Sequence, residues 1–563
     1  MTRRVVFGGL TGLGAAALLW LVLLSPVGLG AGGPGGAVRA GAAGPADRPA
    51  AVPGVAGARY LGLVAPSQEI PFGLSLRMRS AAMGRYATAV QQGRAPSLDA
   101  AQIGRRFGVT GLRLAGVRAL LRSAGVRVQQ TFPQRTEMLV RAPAAAVQRL
   151  FGVRLARYVS GTGQHFYRPV GTPRVPAGLT SAVAAPTMLD TTPLKLYEDV
   201  PQAGMTVAQL SALYDSRPLI RAGLDGSGMT VAVFSEDTFL QTDIDAFDRA
   251  LGITGAPPIQ RVEVNGRPIP FDNSEGAAGE VDLDLDVIRE MAPRAQILNY
   301  EVGGGAGGFA PAIDRVVSDG RAKLVNFSYG ICELYAPDAI RQADNSFKAA
   351  AIANVTVFVS SGDQGSYECG RIDPTDHRLT VPWPASSPYV VSVGGTHVNL
   401  RTDGTRLDEF GWEGILSRSG GGGGLSRLFP RPSWQSGVSG VQNQYSNGMR
   451  QVPDVAADAA PSSGYATISQ GQVVPTGGTS AAAPLWTGSM VLIDEYVKRR
   501  TGHLLPFLAP LLYRVAARDP SAFYDVRLGG NRYYRAGPGW DYSTGLGTPD
   551  FTRLANDLLA LSR

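Results

Sequence analysis

Ser480 lies in Gly477-Gly-Thr-Ser480-Ala-Ala-Ala-Pro484, where small residues crowd the backbone and Pro484 sits just inside what would be the first turn of a helix. A hydroxyl at a helix N-terminus stands among orphan N–H groups and the positive end of the helix dipole, a setting that suits a nucleophile. Such a serine needs a base. The chain has four histidines, His165, His377, His397 and His503, and it also has Glu280-Val-Asp-Leu-Asp284. The Val and Ile positions through residues 282–290 predict a helix, which puts Glu280 and Asp284 one turn apart on one face. Adjacent carboxyls resist ionising together, so such a pair works as a base in acid, where an imidazole is protonated. Asp282 and Asp286 point elsewhere on that helix and read as solvated or salt-bridged. Asp363, in Ser360-Ser-Gly-Asp-Gln-Gly365, is a third informative carboxyl, although alone it reads equally as an Asx-turn aspartate.

The elements that must position these groups form two patterns. Residues 205–214 open the second, in which apolar strands at 229–234, 295–300, 324–327 and 355–359 alternate with helices at 243–251, 311–317 and 338–353. Continuous apolar strands between helices predict an α/β domain with a parallel sheet covered on both faces. Phe327-Ser-Tyr-Gly330 and Ser360–Gly365 follow strands directly and so fall at the carboxyl edge of that sheet, where sites form. Residues 60–189 read differently: a helix over 109–125 with Gly125 as its C-cap, alternation at 126–130 and 138–141, then a helix over 143–151. That mixture predicts a smaller α+β unit. Gly420–Gly424 lies between motifs of one domain and marks no boundary, while Trp383 and Trp434 read as packing residues.

At 563 residues the chain is long enough for two folded units, and 44% hydrophobic against 17% charged residues excludes a disordered protein. The net charge of +8 comes from scattered Lys and Arg with no basic block interleaved with aromatics, which argues against nucleic-acid binding. Arg3 and Arg4 precede an apolar run from Val5 to about Leu24 and then small residues, the pattern of a secretory signal or, uncleaved, of a membrane anchor. Residues 31–57 are Gly/Ala/Pro-rich and read as a spacer. In an exported chain the only two cysteines, Cys332 and Cys369, are most simply a disulfide, worth ~4 kcal/mol in the chain-entropy model.

Taken together, GGTSAAAP around Ser480 and EVDLD at 280–284 resemble the sedolisin (serine-carboxyl peptidase) family. The likeness continues through Val325-Asn-Phe-Ser-Tyr-Gly330, Ser360-Ser-Gly-Asp363-Gln-Gly365, Val452-Pro-Asp-Val-Ala-Ala-Asp458 and Gly537-Pro-Gly-Trp-Asp541-Tyr-Ser-Thr-Gly-Leu-Gly547, in the family's order. Subtilisins hold their base in a His-Gly-Thr setting, in which none of the four histidines stands. The resemblance implies a subtilisin-like fold with Ser480 as nucleophile, Glu280 as its general base, Asp284 behind Glu280, and protonated Asp363 with the Ser480 amide as oxyanion donors. It implies a structural Ca²⁺ held by Asp525 and Asp541 with carbonyls of Val526, Gly537 and Gly539. It also implies that residues 60–189 are a propeptide that assists folding and covers the cleft. Where family members carry tryptophan beside the base this chain has Tyr329, and the helper glutamate aligns ambiguously near Glu236.

The sequence therefore predicts segments at 1–31 (signal or anchor), 32–57 (spacer), 58–192 (propeptide), 193–204 (maturation junction) and 205–563 (peptidase). The expected protein is a secreted, monomeric, acid-active endopeptidase, made as a self-processing precursor that acts on proteins or peptides. The readings set against it are a tripeptidyl-type exopeptidase, a neutral subtilisin-type peptidase and a catalytically silent surface binding protein.

Overall fold

Charged residues stand in several strands of the first half, as in RVQQT and RLARYV, but are absent from the central strands TVAVFS, LVNF and TVFVS of the second, and the chain folds accordingly. A computed structural model describes residues 52, 55, 57–193, 204–266, 269, 271, 277–414 and 418–562. The predicted signal or anchor, nearly all of the spacer and most of the maturation junction lie outside the described residues.

The propeptide half contains β1 (Arg59–Leu63), β2 (Glu69–Leu76), α1 (Ser80–Gln91), α2 (Ala100–Phe107), α3 (Gly111–Ser123), β3 (Arg127–Thr131), β4 (Glu137–Pro143), α4 (Ala144–Phe151), β5 (Arg154–Val159), β6 (His165–Val170) and β7 (Val183–Thr187). An antiparallel sheet in the order β3-β4-β2-β7 buries Ile70, Phe72, Leu74, Met138 and Val140 against Leu114, Val117 and Leu121 of α3. Local signals set the helix ends: Asp99 and Gln102 form a capping box on α2, and left-handed Gly152 closes α4.

The second half begins with α5 (Val207–Leu213) and α6 (Arg217–Arg221). Then come β8 (Thr230–Ser235), α7 (Gln241–Ala250), β9 (Gln260–Glu263), α8 (Ala277–Met291), β10 (Gln296–Glu301), α9 (Phe309–Asp319), β11 (Leu324–Phe327), β12 (Ile331–Cys332), α10 (Pro337–Ile352) and β13 (Thr356–Ser360). Beyond them lie β14 (Pro382–Trp383), β15 (Val391–Leu400), β16 (Arg406–Gly411), β17 (Glu413–Gly414), β18 (Ser419–Gly420), β19 (Gly424–Pro430), β20 (Met449–Val452), β21 (Val455–Asp458), β22 (Tyr465–Ser469), β23 (Gln472–Thr476), α11 (Thr479–Thr501), α12 (Ala509–Arg518), β24 (Phe523–Tyr524) and β25 (Leu528–Gly529).

Among the described residues the main sheet has nine strands, in the order β25-β16-β15-β13-β11-β8-β10-β9 with β21 also on β15. The central ladders are parallel, as expected, but β16 returns antiparallel to β15, so the sheet is mixed. Alternate residues of one strand feed two cores: Val231 and Val233 pack with α8 and α11, while Ala232 and Phe234 pack with α9 and α10. Helices on both faces thus explain why these strands are apolar throughout. Propeptide side chains Met83, Ala87, Ile103, Phe107 and Met188 belong to the second of these cores, and residues 49–563 form one compact unit.

Candidate active site

Two helices that begin at the carboxyl edge of the sheet bring Ser480 and the paired carboxyls together. Helix α11 starts at Thr479, after Gly478 at φ +91°, and α8 carries Glu280 in its first turn. The helices pack closely because Gly488 faces α8, where a Cβ would come within 2.9 Å of the Met291 Cβ and 3.3 Å of the Ile288 Cα. The Ser480 hydroxyl donates to the Ser328 carbonyl at 3.2 Å. The Ser480 side chain also lies within hydrogen-bonding reach of the buried Glu280 carboxyl. Burial foremost, and then the charge of Asp284, push the Glu280 carboxyl well above the usual carboxylate range, while Ser480 pulls it back down. Asp284 is fully buried and likewise raised by burial, against which the Ser328 and Asn326 side chains work.

Pro484 lies in the second turn of α11 rather than the first, and this has a local consequence. Proline has no N–H, so the Ser480 carbonyl is left without its usual partner four residues on. That carbonyl instead faces the Ser328 hydroxyl at 3.3 Å, and the same hydroxyl donates to Asp284 Oδ1 at 2.6 Å. Asn326 Nδ2 donates to Ser328 Oγ at 3.1 Å. Ser328 and Asn326 were not singled out as site residues from sequence. Their spacing at the end of an apolar strand, with both side chains on one face, was the available signal.

Asp363 follows β13 on the loop beside Ser480. Its Oδ1 accepts from the Thr479 amide at 2.8 Å and the Thr479 hydroxyl at 2.7 Å, and its Oδ2 lies against Gly478, where a Cβ would come within 2.6 Å. The Thr479 hydroxyl also accepts from the Gly362 amide at 3.0 Å, tying the loop to the helix start. The glycines at 420–424 serve this loop: Gly422 N donates to Gly362 O at 2.6 Å, and a Cβ on Gly422 would run into the Ser361 carbonyl.

Asp282 and Asp286 do face away from Ser480, but they are buried rather than solvated, because α8 is covered by β22 as well as by α11. Asp286 Oδ2 accepts from the Ile468 amide at 2.8 Å, and burial pushes Asp282 up to about 7. Tyr329 packs edge-on against Phe234 at 5.1 Å, and its hydroxyl is buried near Glu280, Asp284 and Glu236. Burial raises Glu236 to about 8, with Arg371 drawing it down. Cys332 and Cys369 are disulfide-bonded, 37 residues apart, joining β12 to the turn Glu368–Arg371. Trp383 is buried and Trp434 packs at the edge of the core, as expected of packing residues.

The acidic residues near the C-terminus form a separate cluster. Gly539 N donates to Asp525 Oδ1 and Gly537 N to Asp541 Oδ2, both at 3.0 Å, so one glycine loop gathers the two carboxyls. Burial pushes Asp541 up to about 7, and Arg527 pairs with Asp525 at 2.7 Å. Val526 between them is buried. Among the described residues no group of three or more His, Cys, Asp or Glu side chains is placed to hold a metal ion. Two carboxylates gathered on one loop fit an oxygen-liganded cation whose shell backbone carbonyls would complete, although in this structure they accept from the glycine amides.

A serine at a helix start, paired carboxyls on a neighbouring helix and a mixed parallel sheet behind a separate α+β unit define a peptidase of subtilisin-like fold preceded by its propeptide. Comparison with known proteins agrees. The Pro-kumamolisin activation domain family matches residues 56–189 and the subtilase family matches residues 273–507. Kumamolisin of Bacillus sp. (strain MN-32) is 33% identical over 471 residues, covering 79% of this chain and 83% of its own length. Sedolisin of Pseudomonas sp. (strain 101) is 32% identical over 481 residues, covering 80% and 79%. The solved structure of Pseudomonas sedolisin, a serine-carboxyl proteinase complexed with two molecules of pseudo-iodotyrostatin, superposes with a TM-score of 0.56 at 32% identity, covering 64% of this chain and 98% of that one. The chain belongs to the sedolisin family of serine-carboxyl peptidases.

Proposed function

We propose that the chain is the precursor of an acid-active endopeptidase, exported and self-processed between residues 190 and 205. The observation that carries this reading is the convergence of Ser480, Glu280, Asp284 and Asp363 at one edge of the sheet, in a chain whose histidines lie elsewhere. Ser480 Oγ attacks the scissile carbonyl while Glu280 takes its proton, later returning it to the leaving amine. Asp284 shares a proton with Glu280 and holds it in place. Asp363, as the neutral acid, and the Ser480 amide donate to the oxyanion; Thr479 fixes the Asp363 oxygen that does not donate. Both needs, a base that is not lost in acid and a carboxylic acid that stays neutral, favour low pH.

Asp525 and Asp541, with the carbonyls of Val526, Gly537 and Gly539, would hold Ca²⁺, which supplies a fixed positive charge where burial otherwise disfavours the Asp541 carboxylate. Arg527 must then release Asp525, and acid should weaken the site. The chain works as a monomer, and residues 1–31 direct export.

The test is the chain without residues 1–31, as wild type and as Ser480→Ala, moved from neutral pH to about pH 4 with calcium present and followed by intact mass. Loss of everything up to about residues 190–205 from the wild type alone, in acid alone, supports the proposal. Persistence of both precursors would favour the silent binding protein. A peptide substrate with a blocked N-terminus then separates the endopeptidase from an exopeptidase such as the tripeptidyl-peptidase 1 of Dictyostelium discoideum, which is 30% identical over 349 residues.

A further inference from the structure

The positive charge of the chain is divided unevenly. Residues 58–192 hold 18 Arg, no Lys and four Asp or Glu, a net +14, whereas residues 193–563 hold 31 Lys or Arg against 40 Asp or Glu, a net −9. The propeptide's ion pairs Arg127–Glu69 and Arg168–Asp190 join its own groups and take up little of that excess. Layering then decides where part of it points. Along β4, Leu139 turns into the core shared with the peptidase, while Met138 and Val140 turn the other way, onto α3. Helix α3 therefore covers the face of the propeptide sheet that is turned away from the peptidase.

That helix is well specified, yet it leaves an uncharged face in water. Thr110 caps its first turn, accepting from the Arg113 amide at 3.4 Å, and Leu114, Val117 and Leu121 bury its inner stripe. The opposite stripe, Leu112, Ala115, Gly116, Ala119 and Ser123, is exposed. Leu112 is 86% exposed, more than any other large apolar residue among the described residues, and a Cβ on Gly116 would meet nothing within 4 Å. At about 100° per residue, Arg113 stands on one shoulder of this stripe, and Arg118 and Arg122 stand on the other. No carboxylate lies along Gly111–Ser123.

We propose that this face of α3 docks the precursor on an anionic lipid bilayer. A narrow uncharged stripe with arginines on both shoulders suits the bilayer interface. Leu112 enters the acyl boundary, while the arginine stems lie along it and their guanidinium groups reach the lipid phosphates. The net +14 of the unit supplies the longer-range attraction. Other occupants fit less well. A second copy would bring the same charge and be repelled, and a soluble polyanion has no use for Leu112 or the alanines. The export proposed for residues 1–31 also carries the precursor past a bilayer. Docking does not depend on catalysis, but its consequence rests on the self-processing proposed above: near neutral pH the peptidase half, of opposite sign, is repelled by the same surface and leaves it once the propeptide no longer holds it.

The experiment floats the Ser480→Ala precursor without residues 1–31, at pH 7, with vesicles of phosphatidylcholine alone or with about 30% phosphatidylglycerol. At about 50 mM salt it should bind the anionic vesicles roughly tenfold or more better than the neutral ones, and about 0.5 M salt should abolish the difference. Leu112→Glu, in the first turn where a carboxylate favours the helix, should lower the affinity about tenfold, and Leu112→Ala about threefold. Arg85→Gln, which removes one unit of charge from the exposed side of α1, should lower it less than about twofold. No binding to anionic vesicles, or equal binding to neutral ones, would overturn the docking face. So would an Arg85→Gln loss as large as that of Leu112→Glu, which would mark a diffuse attraction open to any polyanion. The peptidase reading stands or falls separately, because the Ser480→Ala chain lacks its nucleophile in every arm.

Discussion

The cleft around Ser480 and the seam between propeptide and peptidase both bury carboxylic acids, and they use them differently. In the seam, Glu137 of β4 is 1% exposed and Asp314 of α9 is fully buried. Burial raises both, Asp314 to about 7, and the charge of Asp314 raises Glu137 further. Thr187 hydrogen-bonds Glu137, while Gln134 Nε2 donates to Asp314 O and Oδ1 at 2.8 and 2.9 Å. Titration behaviour alone does not separate this pair from Glu280 and Asp284. What separates them is company: Glu280 meets the half-exposed Ser480 hydroxyl at a helix start, whereas Glu137 and Asp314 meet hydroxyl and amide side chains away from it, among them Thr187, Gln134 and Ser346. A raised carboxyl marks burial, and the reactive partner marks function.

The largest test of that distinction removes the reactive partners. Ser480→Ala should lower kcat/KM by about a millionfold, and Glu280→Gln by about a thousandfold, in assays of matured enzyme in acid. Glu137→Gln, which removes an equally raised carboxyl, should change the same assay by less than about twofold. If Glu137→Gln proved as damaging as Glu280→Gln, the comparison would collapse.

Asp363→Ala comes next, with an expected loss of about a hundredfold in kcat and little change in KM, since it takes away a donor used only in the transition state. A loss confined to KM would instead make Asp363 a ground-state contact.

The seam makes its own pH test. Carboxyls raised by folding stabilise the docked state in acid, fully so below the ordinary carboxyl range. That stability is lost as pH rises toward the folded value, about 7 for Asp314. The propeptide should thus grip most tightly in acid, so the proposed activation by acid would act by enabling cleavage rather than by loosening the seam. In the Ser480→Ala precursor, cut between residues 194 and 203 by an added protease, the propeptide should co-elute at pH 4.5 and dissociate roughly tenfold or more faster at pH 8. Asp314→Asn should flatten that difference. Faster release at pH 4.5 would reverse the sign and refute the account.

The residues proposed for catalysis were legible in the sequence because each sits in a local motif with its own backbone demand: glycines before Ser480, one helical turn between Glu280 and Asp284, a glycine-flanked loop at Asp363. The two-domain order and four strands of the main sheet, β8, β10, β11 and β13, were legible for a similar reason, as apolar runs between helices. What was not legible depended on packing between distant segments. The burial of Asp282 and Asp286 follows from β22 lying across α8, 182 residues away between Asp286 and Ile468. The partnership of Glu137 with Asp314, and the seating of Met188, arise only when the two domains meet. The antiparallel β16, RLDEFG, carries three charged residues and is only partly buried, unlike the apolar parallel strands, and so escaped a reading that sought apolar runs.

Ser328 gives the smallest effect and the finest test. Its hydroxyl lies between Asp284 Oδ1 at 2.6 Å and the Ser480 carbonyl at 3.3 Å, which Pro484 leaves open. With Asp284 ionised the hydroxyl donates to it; with Asp284 protonated the carboxylic acid can donate to Ser328 Oγ, freeing the hydroxyl to turn to the carbonyl. Ser328 lowers the Asp284 carboxyl toward its ordinary range, so Ser328→Ala should raise it. The acid limb of the kcat/KM profile, where the pair must first lose a proton, should move to higher pH, with about a tenfold loss at its former optimum. Ser328→Thr should restore the limb. A uniform loss at every pH, without movement of the limb, would mean that Ser328 only packs, and that the catalytic carboxyls differ from the seam carboxyls by the nucleophile alone.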